Sequence, residues 1–149
     1  AGAGRTRGGF GLDYELELCN GEARASFVMD HGRFGPQGVL GGCNGDVNKV
    51  VVLRDGETYV PLHLSKEQDI ALSPGDRVWV RTPGGGGYGD PLDRDTTAVF
   101  EDVRLGRYTA DQATALYGVI IVKDNTGEIS VDSQATAARR AGMKGVDTV

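Results

Sequence analysis

Apolar and polar positions alternate with a period of two through most of the first half of the chain. They switch to a helical period in the second half. Leu12-Asp13-Tyr14-Glu15-Leu16-Glu17-Leu18 predicts a half-buried strand with Leu12, Tyr14, Leu16 and Leu18 facing inward. Asn20-Gly21 predicts a hairpin turn, and Ala23 to Met29 a return strand with Ala23, Ala25, Phe27 and Met29 on one face. Asn48 to Leu53 reads as a buried strand, Asp55-Gly56 as a turn and Thr58 to Leu64 as its partner. Ser65 to Asp69 reads as a polar loop, Ser73-Pro74-Gly75-Asp76 as a turn, and Arg77 to Arg81 as a strand with Val78 and Val80 opposite Trp79. Further on, Leu92, Val99, Phe100 and Val103 form one helical stripe that Gly106 ends. Thr109, with Gln112 three residues on, opens a second helix carrying Ala113, Leu116 and Tyr117, and Gly118 stops it. Val119 to Val122, a turn at Asp124-Asn125-Thr126-Gly127 and Glu128 to Val131 predict a short hairpin. Asp132 caps a last helix to about Met143, and Gly145 to Val149 reads as a frayed tail.

The chain thus falls into a β-rich part (residues 1–82), a glycine segment (83–91) and short helices with one hairpin (92–149), a mainly β, α+β class. The glycine segment, Thr82 to Pro91, contains G-x-G-x-x-G at Gly84, Gly86 and Gly89, between a strand and a helix. A nucleotide loop is nevertheless disfavoured. Asp90 places a carboxylate where a pyrophosphate needs positive potential, Asp90-Pro91 makes a helix N-cap, and no parallel strand follows the helix. Gly84, Gly85, Gly86, Gly87 and Gly89 instead predict close-packed backbone. The run is expected to lie against Gly2 to Gly9 or Gly41 to Gly45, with Tyr88 as a lid.

Composition narrows the classes. The 149 residues carry a net charge of −5 with dispersed basic groups, which argues against nucleic acid as a partner. The 24 glycines are clustered and aperiodic, unlike collagen. No apolar run approaches the roughly 20 residues of a membrane span, and the start has no apolar core of a signal peptide. Cys19 and Cys43 fit no metal or redox spacing, even with His31 and His63. Two reduced thiols and a cytoplasmic location are expected. Beginning at Ala1 inside a Gly/Arg-rich loop suggests part of a longer chain or a processed product.

Few residues suggest chemistry. Gly4 to Gly9 has phosphate-loop spacing, but Phe10 stands where lysine is needed. Arg5 and Arg7 are candidates to hold a carboxylate or phosphate at an interface; two solvated arginines or a structural ion pair are the alternative. Asp13, Glu15 and Glu17 form a carboxylate row that reads as a solvated strand face. Asp30, His31 and Arg33, in the glycine-dense stretch from Asp30 to Asp46, are the candidate catalytic cluster; a structural network is again the alternative. No metal set is expected.

Taken together, several stretches resemble the C-terminal part of the hydantoinase B/oxoprolinase family. They are Gly2 to Gly9; Asp30-His31-Gly32-Arg33-Phe34-Gly35-Pro36-Gln37-Gly38 with Gly41-Gly42; Leu72 to Asp76; Thr82 to Pro91; Asp102-Val103-Arg104-Leu105-Gly106; and Ala115 to Val119. Asp30-His31 stands where the family more usually has Asp-Arg, and Gly42-Cys43-Asn44-Gly45 replaces a Gly-Gly-x-Pro-Gly run, which weighs against direct catalysis by that loop. The resemblance implies antiparallel sheets in a barrel-like arrangement joined to polyproline-II-like glycine segments. It also implies a component of an ATP-dependent cyclic-amide hydrolase, with a ketone carboxylase component or a non-catalytic structural component as alternatives. The implied partners are a hydantoinase A-like subunit that uses ATP and the N-terminal portion of the hydantoinase B-like polypeptide. ATP and a divalent metal are then expected elsewhere in the complex, with no cofactor on this chain.

Overall fold

The computed structural model describes residues 1–144; the expected frayed tail at Gly145 to Val149 lies outside the described residues. Six strands and three α-helices carry the architecture, with a short hairpin between the helices. Strands β1 (Asp13–Glu17), β6 (Arg77–Arg81), β3 (Lys49–Arg54) and β4 (Glu57–Tyr59) form one antiparallel sheet in the order β1-β6-β3-β4. Strands β2 (Ala23–Val28) and β5 (Lys66–Leu72) form a second sheet of two strands. The two sheets stack through Val50, Val52, Val78 and Val80, all nearly fully buried, against Phe27, Met29, Ile70 and Leu72. Val78 and Val80 face inward as their alternation requires.

The second layer is helical. Asp90 caps a single 3-10 turn at Pro91–Asp93, its carboxylate accepting from the Leu92 amide. Asp95 then caps α1 (Thr96–Arg104), and Thr109 and Gln112 complete a capping box on α2 (Ala110–Tyr117). Gly118 takes the left-handed conformation, φ +62°, that ends α2. The hairpin β7 (Ile121–Lys123) and β8 (Ile129–Val131) follows, and Asp132 accepts from the Ala135 amide at the start of α3 (Ser133–Lys144). Val99, Tyr108, Ala113, Tyr117 and Val119 make this core, and Ala3 from the N-terminal segment completes it.

Several expectations need correction. β1 is not half-buried, since every residue from Asp13 to Glu17 is exposed, and Leu92 is not on the helix of Val99 and Val103, because Asp90 caps only the 3-10 turn and Asp95 opens α1. Among the described residues the sheets do not close into a barrel. The Asn20-Gly21 turn forms, with Gly21 at φ +73°, but β1 and β2 leave it into different sheets and do not pair. Ser65 to Asp69 is not a polar loop: β5 begins at Lys66 because β2 supplies backbone partners that outweigh its polar composition. The partner of β3 ends at Tyr59, where turns through Pro61 and His63 replace the expected strand to Leu64. Among the described residues no helix is long and apolar enough to cross a membrane.

The glycine segment lies between two other stretches of backbone. Gly85 donates to the Gly9 carbonyl at 2.9 Å and accepts from Gly2 at 2.8 Å, while Tyr88 and Thr6 exchange a pair of bonds at 2.9 and 3.0 Å. On the other side Gly87 donates to Cys43 at 2.9 Å and accepts from Val39 at 2.9 Å. Residues 1–9 and 36–45 thus hold the run from both sides, and Tyr88, 44% exposed, lies under the Arg5 guanidinium, 5.7 Å from its ring centre.

Candidate functional site

The expected cluster Asp30-His31-Arg33 does line a cleft, of about 480 Å³, where the end of β2 meets the turn before β5. The local fold is fixed by backbone. Met29 donates to the Ser65 carbonyl at 3.0 Å, and the Ser65 hydroxyl donates back to the Met29 carbonyl at 3.0 Å. Asn48, buried at the start of β3, donates its amide N–H to the His31 carbonyl at 3.0 Å and its side-chain amide to the Asp30 carbonyl. This anchoring holds His31 at φ +66°, a conformation non-glycine residues adopt at a cost. Gly32 follows because a Cβ there would meet the Ser65 hydroxyl oxygen at 2.7 Å.

The chemistry in the cleft is cationic. The Asp30 carboxylate pairs with Lys66 at 2.6 Å, and a hydrogen bond and the charge of that ammonium hold its carboxyl below the ordinary range. Asp30 is therefore ionised and engaged, a poor general base. The His31 Nδ1 lies 3.1 Å from the Phe34 carbonyl oxygen, which sets the proton on Nδ1 in the neutral ring and leaves Nε2 free. Arg33 makes no side-chain hydrogen bond or ion pair among the described residues. His63, from the turn before β5, shares the cleft. The sequence separates His63 and Lys66 from Asp30 by more than thirty residues, and only the β2–β5 register unites them. Phe34 and Leu62, 78% and 80% exposed, flank the opening. No nucleophile–base pair is present in this cleft, and its free groups suit an anion or an acidic partner surface.

Arg7, a candidate anion ligand, instead forms the structural ion pair that was its alternative. It grips Asp102 through two bonds, Nε to Oδ2 at 2.8 Å and Nη2 to Oδ1 at 3.2 Å. Arg94 Nη2 reaches Oδ2 at 2.9 Å and Arg107 Nη1 reaches Oδ1 at 3.1 Å, so three arginines surround one buried carboxylate. Burial pushes the Asp102 carboxyl up, but hydrogen bonds from Arg7 and Arg107 and the charges of Arg7 and Arg94 outweigh it and hold it down. Burial chiefly, with the Tyr108 hydroxyl at 3.2 Å, pushes the neighbouring Tyr117 phenol up. The sequence reading missed this hub, although a signal existed: Asp102 sits in the inward stripe of α1, three residues after Val99. Arg5 remains exposed and makes no ion pair among the described residues.

The amides of Gly85, Gly87, Tyr88 and Gly89 are all spent on backbone carbonyls of neighbouring segments. Among the described residues no three His, Cys, Asp or Glu side chains converge as metal ligands. Cys19 and Cys43 are free and exposed. Asp13, Glu15 and Glu17 pair with Arg81 and Arg77 across β1 and β6.

An open two-sheet sandwich is joined to a helical layer by interleaved glycine backbone, with a cationic cleft on its surface. Comparison with known proteins identifies the larger design. The sequence profile of the family described as hydantoinase B/oxoprolinase matches residues 1–91. The beta subunit of caprolactamase from Pseudomonas jessenii is 38% identical over 147 residues, which is 94% of this chain and 24% of that subunit. A B-type hydantoinase subunit from Pseudomonas sp. (strain NS671), provisionally named as that of a D-/L-hydantoinase, is 33% identical over 119 residues, 79% of this chain and 20% of its own. The crystal structure of the ATP-dependent caprolactamase superposes with a TM-score of 0.71 at 34% identity, covering 93% of this chain and 24% of that one. A nucleotide-free acetone carboxylase structure shares the fold, with a TM-score of 0.75 at 23% identity over 99% of this chain and 24% of that one. The chain belongs to the hydantoinase B/oxoprolinase family. It spans about a quarter of the length of the caprolactamase subunit it matches.

Proposed function

We propose that this chain is part of the B component of an ATP-dependent cyclic-amide hydrolase of the hydantoinase/oxoprolinase type, working with an A-type subunit that uses ATP. The observation that carries this reading is the 38% identity to the caprolactamase beta subunit over 94% of the chain. Phosphorylation of the amide oxygen activates the ring carbon: water adds, the ring C–N bond breaks with the nitrogen leaving as the amine, and hydrolysis of the resulting acyl phosphate releases phosphate, which is how ATP can drive the opening of a stable lactam or hydantoin ring. Four amides of the glycine run, those of Gly85, Gly87, Tyr88 and Gly89, are taken up by backbone carbonyls, and among the described residues no metal-ligand set converges. ATP and a divalent metal are therefore assigned to other parts of the complex, and no catalytic step is assigned to this chain. A ketone carboxylase component is the second reading. It is supported by 43% identity to the acetone carboxylase alpha subunit of Xanthobacter autotrophicus, over only 61 residues.

The test is reconstitution with the rest of the B component and the A-type partner, followed by ATP-dependent turnover of caprolactam, hydantoin and 5-oxoproline, and of acetone with bicarbonate. Ring opening that needs ATP and this chain is expected, whereas carboxylation without hydrolysis would favour the second reading. The isolated chain is expected to hydrolyse neither ATP nor any of these amides, and turnover by it alone would refute the assignment of catalysis to other parts of the complex.

We further assign Asp30, His31 and Arg33, with Arg5, to an interface with the A-type subunit or with the rest of the B component. The free Arg33 and His31 groups and the exposed Phe34 and Leu62 beside them support this. His31→Ala with Arg33→Ala is expected to weaken assembly tenfold or more, equivalent to roughly 1.4 kcal/mol. The melting temperature of the isolated chain should stay within a few degrees. Assembly and turnover both at parental levels would remove the assignment.

A further inference from the structure

The two sheets are laced together along one side and open along the other. On the laced side, Arg54 from β3 donates to the Ala71 carbonyl of β5, and the Tyr59 hydroxyl of β4 donates to the Glu67 carboxylate of β5. On the other side β1 and β2 diverge from the Asn20-Gly21 turn, and among the described residues no hydrogen bond joins them. The consequence is visible in the register of β1. Tyr14 stands opposite Val80 and Leu16 opposite Val78, so all four share the inner face. Val80 and Val78 are 2% and 6% exposed, whereas Tyr14 and Leu16 are 43% and 62% exposed. The sheet of β2 and β5 covers β3 and β6 and stops short of β1.

What remains is a groove of about 230 Å³ bounded by Tyr14, Leu16, Ala25, Phe27 and Leu72. β2 borders it with a small side chain, Ala25, and with a strand edge that has no partner among the described residues. A two-stranded sheet is marginal by itself, and an unpaired edge beside an apolar groove invites a further strand.

We propose that this opening receives a β-strand from the portion of a hydantoinase B-like polypeptide that this chain does not represent. The strand pairs with the free edge of β2 and lays alternate apolar side chains on Tyr14 and Leu16. Backbone pairing supplies the affinity and the groove selects the side chains. The length of the relatives names the occupant. The caprolactamase beta subunit matches this chain over only 24% of its own length, so about three quarters of such a polypeptide is available to complete the sheet. The chemistry agrees: the groove is apolar, while the three carboxylates on the outer face of β1 are already paired with Arg77 and Arg81. Such an interior-like contact suits a permanent neighbour better than a transient one. This inference rests on the family reading above.

Hydrogen exchange measured by mass spectrometry tests it, on the chain alone and after assembly with the remaining polypeptide of the B component expressed from the same genome. Alternate amides of Ala23–Val28 are expected to exchange at least about tenfold more slowly after assembly, before any A-type subunit is added. Leu16→Lys should melt with the parent as an isolated chain, because Leu16 is solvated there, yet fail to assemble. Glu57→Lys, on the laced side, should assemble normally. Unchanged exchange at β2 together with normal assembly of Leu16→Lys would overturn the proposal. So would protection that appears in a dimer of this chain alone, or only on adding the A-type subunit. Activity separates this proposal from the assigned function. Protection without ATP-dependent ring opening would sink the function and keep the strand; ring opening without protection would do the reverse.

Discussion

Asp102→Asn is expected to lose about 3–5 kcal/mol of stability, the usual result of removing one partner from a buried ionic network. The amide keeps the shape of the carboxylate but not its charge, so Arg94, itself nearly fully buried, is left uncompensated beside Tyr117. At this chain length each kcal/mol corresponds to about 2–4 °C of melting temperature. Arg107→Ala should cost far less, because that side chain is 47% exposed and solvent screens its pair. The pH dependence has a definite sign. The folded carboxyl is held below its ordinary value of 3.8, so its contribution is complete at neutral pH and is lost as pH falls from that value toward the lower folded one. The gap in melting temperature between parent and Asp102→Asn should therefore narrow in that acid window. A constant gap from neutral pH down to about pH 3 would contradict the account, as would a neutral-pH loss no larger than that of Arg107→Ala.

The second large effect is expected at the glycine run. An alanine methyl at Gly86 would overlap the Gln37 carbonyl and lie 2.8 Å from the Gly38 nitrogen, and one at Gly87 would overlap the Ala3 carbonyl. Backbone cannot swing aside as a side chain can, so either substitution should cost at least the roughly 3 kcal/mol at the top of the overpacking range. The penalty is steric: neither glycine has a positive φ. Gly9→Ala is the matched control. A Cβ there meets nothing within 4 Å, so it should melt with the parent or slightly above, through reduced freedom of the unfolded chain. Thermal melts of the three variants decide the matter. Parental melting of Gly86→Ala and Gly87→Ala would mean that the interleaved backbone does not hold the two layers together.

Gly86 also marks the boundary of what the sequence makes legible. A run of glycines with no turn signature predicts close-packed backbone, and the other glycine clusters, Gly2 to Gly9 and Gly41 to Gly45, are its natural neighbours. The contact of Gly86 with Gln37 and Gly38 has no such signature, because glycines carry no side-chain pattern that fixes which segment they face. Arg7 illustrates the same gap. Its residue type suits an anion ligand equally well, and its partner Asp102 lies 95 positions away.

By itself the sequence determined what depends on near neighbours and alternation. The capping box at Thr109 follows from side chains within hydrogen-bonding reach of the next turn, and the inward pair Val78 and Val80 follows from the pleat, whereas Asp90 caps only the 3-10 turn and Asp95 opens the helix. The family too was legible, in the order of its motifs from Gly2 to Val119. Tertiary structure alone decided pairing. Leu12 to Leu18 and Ala23 to Met29 have the alternation and the turn of a hairpin, yet β1 pairs with β6 and β2 with β5. Local pattern fixes which face of a strand is apolar, but not which edge it meets. That choice belongs to the burial of Val50, Val52, Val78 and Val80 between two sheets, an energy summed over residues far apart in the chain.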